Sequence, residues 1–297
     1  MSAHKEEPKY AIYINGKTYS KENARISVFD HGFLYGDGAF EGVRIYDGKI
    51  FRLNHHIERF FDSMKALNIT PPMSREKTRK VIIDTIKEAG FRNGQVRPII
   101  TRGTGMLGLD PRNCTEGPTF IVIAYGYATP FAGGKEGIKA ITSTVRRIPP
   151  ECLDQKIKSL NYLNSVMAKI EAISAGADEA IMLDINGHIA EGTGDNIFMV
   201  KNGVILSPFL TSALGGITRQ TVIEVAEQEK YKVEIGTFTL YNLYTADEVF
   251  LTGTNIEIIP VLEIDGRVIN DGKVGKITQH LKKAYIEFVK GEVEVII

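Results

Sequence analysis

The stretch AEGTGDNIFMVKNG, residues 190–203, carries the two signals from which the rest of the chain can be read. Ile197, Phe198, Met199 and Val200 form a short apolar run that ends at Lys201 and the pair Asn202-Gly203. Both central residues of a two-residue hairpin turn need positive φ, which Asn, Asp and Gly tolerate. The same punctuation recurs at Asn15-Gly16, Asp47-Gly48, Asn186-Gly187 and Asp265-Gly266, each between apolar or alternating runs. Turns of this kind predict much antiparallel sheet. At the other end of the stretch, Glu191 closes an apolar strand between Ala190 and Gly192, small residues that admit a close neighbour. An acid there is either exposed at the strand end or buried and paired, since an unpaired buried carboxylate is costly.

Spacing near 3.6 predicts helices over 54–68, 74–89, 160–175, 218–230 and 274–290. In the first, Ile57, Phe60, Phe61, Met64 and Leu67 make the buried stripe and Asn54 is placed to cap the start. Helices mixed with hairpins predict an α+β fold rather than alternating βαβ units. The chain of 297 residues is near the length at which single cores divide. Pro130 and three glycines in ATPFAGGKEG, residues 128–137, mark the division. The expected organisation is a smaller N-terminal domain over 1–128, a linker over 129–136 and a larger domain over 137–297.

Acidic and basic residues cancel, 36 against 36, so no basic excess points to nucleic acid or an anionic membrane. The start MSAHKEEPKY is polar, unlike a signal peptide, and the longest apolar stretch, around TFIVIAYGYA, is far too short for a membrane helix. Cys114 and Cys152 stand outside any metal-ligand or Cys-x-x-Cys pattern. The expectation is a cytoplasmic protein without a metal. Gly103, Gly105 and Gly108 have dinucleotide-loop spacing, but LDPRN follows them where a helix start is required.

Two other glycine stretches meet that requirement better. Gly215-Gly216 immediately precedes the amphipathic helix of ITRQTVIEVAEQ, so the amides of Gly216, Ile217 and Thr218 would lie at the positive end of the helix dipole. Gly253 and Thr254 repeat the theme at a strand end. In CLDQKIKSLNYLN, residues 152–164, Lys156 and Lys158 would share one face of a short strand beside the apolar Leu160, Tyr162 and Leu163. An anion cradle, a lysine near a core and a strand-end acid together describe the three handles of pyridoxal 5'-phosphate: a phosphate, an aldehyde and a basic ring nitrogen.

With these residues in view, the chain resembles the class IV aminotransferases, the group that contains branched-chain amino acid aminotransferases and D-amino acid transaminases. The resemblance runs over residues 10–290. It rests on FDHGFLYGDGAFEGVRIYDG, HIERFFDS, VRPIITRG, KSLNYLNSVMAK, AEGTGDNIFMVKNG, SALGGITR, YTADEVFLTGT and EIIPV, in that order. It implies the two-domain class IV fold, with a smaller N-terminal α/β domain and a larger β-rich cofactor domain.

The resemblance also selects between the lysines: Lys158 is the Schiff-base lysine, and Lys156 a neighbour. A lysine in this role must shed its proton to act as a nucleophile and then carry the substrate Cα proton. Glu191 would pair with the ring nitrogen, Tyr162 donate to the ring's phenolic oxygen and Leu214 pack on the ring. Gly216, Ile217 and Thr218, with Thr254 and Arg59, would hold the phosphate, although Arg59 lies off its helix's core stripe. Tyr35, Phe40 and Arg97 would form the substrate pocket, with Thr254 and Asn255 near the substrate α-carboxylate.

The implied activity is ping-pong transfer of an amino group between L-leucine, L-isoleucine or L-valine and 2-oxoglutarate, in at least a homodimer whose 30–40 loop reaches the partner's site. The pattern departs from the branched-chain members at Gln95, where they carry tyrosine, and at Asn255-Ile256, where they carry two alanines. A D-amino acid or (R)-amine transaminase is therefore the nearest alternative reading, followed by an aminodeoxychorismate lyase and a non-catalytic pyridoxal phosphate-binding protein.

Overall fold

The computed structural model describes residues 9–127 and 135–295. Its contacts divide the chain into two units. The first comprises Met1–Thr129, Ile157–Asn161 and Glu292–Ile297, and the second Pro130–Lys156 and Tyr162–Gly291. Most of the linker expected over 129–136 lies outside the described residues. Two short pieces of the expected second domain, one of them holding Lys158, belong by contact to the first unit.

The first unit is built on one sheet, in the order Val293–Val295, Lys49–Phe51, Val43–Tyr46, Gly94–Thr101, Thr119–Gly126, Tyr10–Ile14 and Lys17–Tyr19, with Gly38–Phe40 also paired to Gly94–Thr101. Side chains alternate across it. Ala11, Ala39, Val43, Ile45, Val96, Ile100, Val122 and Ala124 enter one core with Ile57, Phe60, Phe61 and Met64 of the helix Leu53–Ala66 and with Ile82 and Ile86 of Arg75–Ala89. Leu67 packs against this core half-buried. Asn54 does not cap the first helix. The helix begins one residue earlier, after Arg52 at φ 49°, and Asn54 is exposed within its first turn. The other helix is capped by Ser74, whose side chain accepts the Lys77 amide at 3.3 Å.

The second unit has its own sheet, in the order Ile189–Glu191, Glu179–Leu183, Ile138–Thr142, Glu257–Ile264, Glu248–Gly253, Asn196–Lys201, Val204–Pro208 and Val233–Gly236, with Arg267–Val268 paired to Glu257–Ile264. Ile181, Leu183, Ile197, Met199, Leu206, Val249, Leu251, Ile259 and Val261 bury one core. Phe198 and Phe250, directly opposite in the ladder, stack with centroids 5.0 Å apart. Among the described residues three pairings are parallel, including Val204–Pro208 with Val233–Gly236 across the helix Ile217–Gln228. Turn dipeptides cannot announce these crossovers, because no tight turn makes them.

The expected positive φ is present at both residues of Asn15-Gly16, Asp47-Gly48, Asn202-Gly203 and Asp265-Gly266. At the fifth turn only Gly187 adopts it, with φ 83°. There the Asp184 carboxylate accepts the amides of Asn186 and His188, both at 2.8 Å, and shapes a longer turn in which Asn186 keeps an ordinary φ.

Candidate active site

In the first unit, two cations share one aromatic ring. Lys158 Nζ lies 4.7 Å from the centroid of the Phe40 ring, and the Arg97 guanidinium carbon lies 5.0 Å from the same centroid. The backbone holds this arrangement. The Phe40 amide donates to the Lys158 carbonyl at 3.0 Å, the Leu160 amide to the Gly38 carbonyl at 2.9 Å, and the Lys158 amide to Ser63 Oγ at 3.2 Å. The expected short strand around the two lysines is absent. The chain turns at 155–156, and only Ser159 bridges to Ala39. Lys156 is therefore exposed in a turn, Lys158 is half-buried, and they do not share a strand face.

Next to Phe40, Glu41 is wholly buried and binds Arg59 Nε at 2.7 Å and Nη2 at 2.8 Å. The same carboxylate meets His56 Nδ1 at 2.7 Å. An ionised carboxylate only accepts, so Nδ1 carries the proton. Burial pushes the Glu41 carboxyl up, but the charge and hydrogen bonds of Arg59, with His56, outweigh it and hold it at about 2. Burial also lowers His56, against the opposite pull of Glu41. Tyr35 joins a different neighbourhood, at the end of the short helix His31–Tyr35. Its hydroxyl accepts the Gly108 amide at 2.9 Å, and its ring meets His31 edge-on.

The second unit gathers another group. Glu191 is 3% exposed, in a strand where burial has won over exposure. One carboxylate oxygen pairs with Arg147, itself buried and bound to Gln155 at 2.8 Å and Ser165 at 3.0 Å. The other accepts from the Leu214 amide at 3.2 Å and from Asn196 Nδ2 at 3.3 Å. Asn196 Nδ2 also donates to the Leu214 carbonyl at 2.9 Å, tying the acid to the loop that enters the helix Ile217–Gln228. Gly216 is the N-cap and offers that helix no side-chain cap; Ile217 and the buried Thr218 open its first turn. A Cβ on Gly216 would lie 2.0 Å from Asn196 Oδ1, so only glycine lets the strand and helix start approach this closely.

Tyr162 is the residue before the helix Leu163–Ser174 and is half-buried. Thr254 and Asn255 occupy the turn after Gly253, where the Thr252 hydroxyl and Asn255 Oδ1 are buried without a hydrogen-bond partner.

The structure thus gathers Phe40, Arg97 and Lys158 in one unit, and Glu191, Leu214 and Gly216 in the other. Sequence reasoning missed Glu41, His56, Arg147 and Asn196. Glu41 had a legible signal: like Glu191, it is an acid between an apolar residue and a glycine in a strand-like run. Arg147, in VRRIPP, reads as a surface cation and had none. Among the described residues, no group of three or more His, Cys, Asp or Glu could hold a metal, and no helix is long and apolar enough to cross a membrane.

The family described as Amino-transferase class IV matches residues 38–264, and the chain belongs to it. Its relatives include a Methanocaldococcus jannaschii protein named provisionally as a branched-chain-amino-acid aminotransferase, 52% identical over 92% of this chain and 94% of that one. The branched-chain-amino-acid aminotransferase of Pseudomonas aeruginosa is 37% identical over 95% of this chain and 94% of its own. Among solved structures, the T.th. branched-chain amino acid aminotransferase with pyridoxamine 5'-phosphate superposes with a TM-score of 0.91 at 36% identity, covering 97% of this chain and 98% of that one. The same T.th. enzyme has been solved with N-(5'-phosphopyridoxyl)-L-glutamate and with 4-methylvaleric acid.

Proposed function

We propose that this protein is a pyridoxal 5'-phosphate-dependent aminotransferase exchanging an amino group between L-leucine, L-isoleucine or L-valine and 2-oxoglutarate. The cycle is ping-pong, with Lys158 as the Schiff-base lysine and proton carrier. The observation that carries this reading is the sharing of the Phe40 ring by Lys158 and Arg97, which sets a nucleophilic amine and a carboxylate-binding fork beside one apolar surface. The names and ligands of the related enzymes support it.

The residues present suit the cofactor. A helix start without a side-chain cap, with the buried Thr218 in its first turn, suits a phosphate. Gly216, Ile217, Thr218, Thr254 and Arg59 would hold that group. Glu191, charge-balanced by Arg147, would hold the ring nitrogen, Tyr162 the phenolic oxygen and Leu214 the ring. When bound, the cofactor supplies an electron sink for the carbanion at the substrate Cα. Lys158 removes the Cα proton and returns it. Glu41 keeps Arg59 in one orientation. Phe40 would form the apolar wall for a branched side chain, with Tyr35 brought to it by the 30–40 loop of the partner subunit, and Arg97 would take a side-chain carboxylate. Thr254 and Asn255 meet the α-carboxylate. The setting is cytoplasmic, and the working unit is at least a homodimer whose 30–40 loop reaches the partner's site.

The test is the visible spectrum of the cofactor-loaded protein without an amino acceptor. Loss of the cofactor band with L-leucine, and its return with 2-oxoglutarate, is the expected result. Loss with D-alanine alone, or a band that neither amino acid moves, overturns the reading. Solution mass tests the dimer: a fully active monomer would exclude it.

A further inference from the structure

The start of the helix Ile217–Gln228 gathers positive charge that nothing in its own first turn offsets. Its free amides lie at the positive end of the helix dipole, Gly216 supplies no side-chain cap, and the first turn contains no acid. The third residue of that turn is Arg219, only 6% exposed. A cation is the unfavourable charge for this end of a helix, and burial adds a second penalty.

The hydrogen bonds of Arg219 all go to neutral oxygens. Nε donates to Ser207 Oγ at 3.0 Å, and Nη2 to the Pro208 carbonyl at 3.2 Å. These bonds tie the side chain to the strand Val204–Pro208 but bring no negative charge. Arg147, equally buried, has Glu191 beside it. Among the described residues no carboxylate pairs with Arg219, and burial pulls its guanidinium below the ordinary arginine value. A buried cation of this kind is costly until an anion comes near it.

We infer that Arg219 is the buried counter-charge for the cofactor phosphate, adding to the affinity of the site proposed at Gly216, Ile217 and Thr218. This rests on the pyridoxal 5'-phosphate reading above. Because its donors are turned to the strand, Arg219 acts through its field rather than by contact. A phosphate dianion at the helix start supplies the negative charge that the dipole and the guanidinium both lack. The low dielectric between helix and sheet lets a charge act beyond hydrogen-bond distance.

The test is absorbance titration of the full-length protein, freed of cofactor, with pyridoxal 5'-phosphate and with pyridoxal. Pyridoxal has the same ring and aldehyde and no phosphate. In Arg219→Gln, which keeps a donor for Ser207 and loses the charge, affinity for pyridoxal 5'-phosphate is expected to fall by about tenfold or more, with that for pyridoxal unchanged. Arg219→Lys keeps the charge and should retain most of the parent's preference for the phosphorylated ligand. Ser207→Ala removes an anchor and leaves the charge, so it should lower the melting temperature without altering that preference.

Equal weakening of both ligands, weakening of neither, an Arg219→Lys variant as impaired as Arg219→Gln, a preference lost in Ser207→Ala, or an Arg219→Gln variant that fails to fold each overturns the inference. Each would make Arg219 no more than a tie between helix and strand. Failure of the cofactor reading shows separately, as a parent protein that binds neither ligand.

Discussion

Glu41 grips Arg59 along two edges, Oε1 on Nε at 2.7 Å and Oε2 on Nη2 at 2.8 Å, while His56 holds the same carboxylate from a third direction. A long arginine side chain is thereby reduced to one orientation, at the cost of burying an acid completely. Such a charge is tolerated only with its partners in place. Glu41→Gln is expected to lower stability by about 3–5 kcal/mol, because it leaves the Arg59 charge facing a neutral amide. Urea unfolding measures this; a change below about 1 kcal/mol, the value of an exposed pair, would show that Glu41 contributes little.

The same cluster sets a pH dependence. His56 is lowered below its ordinary value, chiefly by burial. In acid, the unfolded chain takes up this proton before the folded one does. Stability should therefore decline as pH falls from about 6.5, the ordinary histidine value, toward the lowered one. The Glu41 contribution is present above about 4.5 and lost as pH falls toward about 2. Unfolding midpoints between pH 8 and 5 should slope downward in the parent and less in His56→Gln. Identical slopes would show that His56 keeps its ordinary pKa.

Gly216→Ala tests the second cluster. Its Cβ would stand 2.0 Å from Asn196 Oδ1, so Asn196 must move away from Glu191 and Leu214. The expected loss is about 1–3 kcal/mol, the usual cost of overpacking. Affinity for pyridoxal 5'-phosphate should fall with it. An unaltered melting temperature and affinity would mean that the helix start shifts freely.

Lys156 and Lys158 provide the sharpest contrast, since they are two residues apart and one is exposed while the other is half-buried. Lys158→Ala should slow the half-reaction with L-leucine by about 10²–10⁴-fold or more, the range lost with a positioned acid–base group. Lys156→Ala should change it less than twofold. Single-turnover absorbance reads both, and comparable losses would remove the distinction.

The legible parts of the fold were those written in adjacent residues. Asp47-Gly48 and Asn202-Gly203 demand positive φ wherever they occur, and both turns adopt it. Ile57, Phe60, Phe61 and Met64 fall on one face of any helix and are buried together. Arg59 shows the limit. Its position off that stripe marks it as a surface residue by period, yet its ion pair is with a fully buried acid 18 positions earlier. Arg147 and Glu191 are 44 positions apart, and neither neighbourhood mentions the other.

By itself the sequence determined the turns, the helices, the class of fold and, through its ordered motifs, the family. Those follow from φ preferences and side-chain periodicity, which act over a few residues, or from patterns of whole blocks. Only the tertiary structure decided that Lys158 faces Phe40 from a loop, that Val293–Val295 closes the first sheet beside Lys49–Phe51, and that Arg44 is buried between tyrosines with donors unpaired. Burial and charge pairing depend on which distant segments pack together, and local propensity has no term for that.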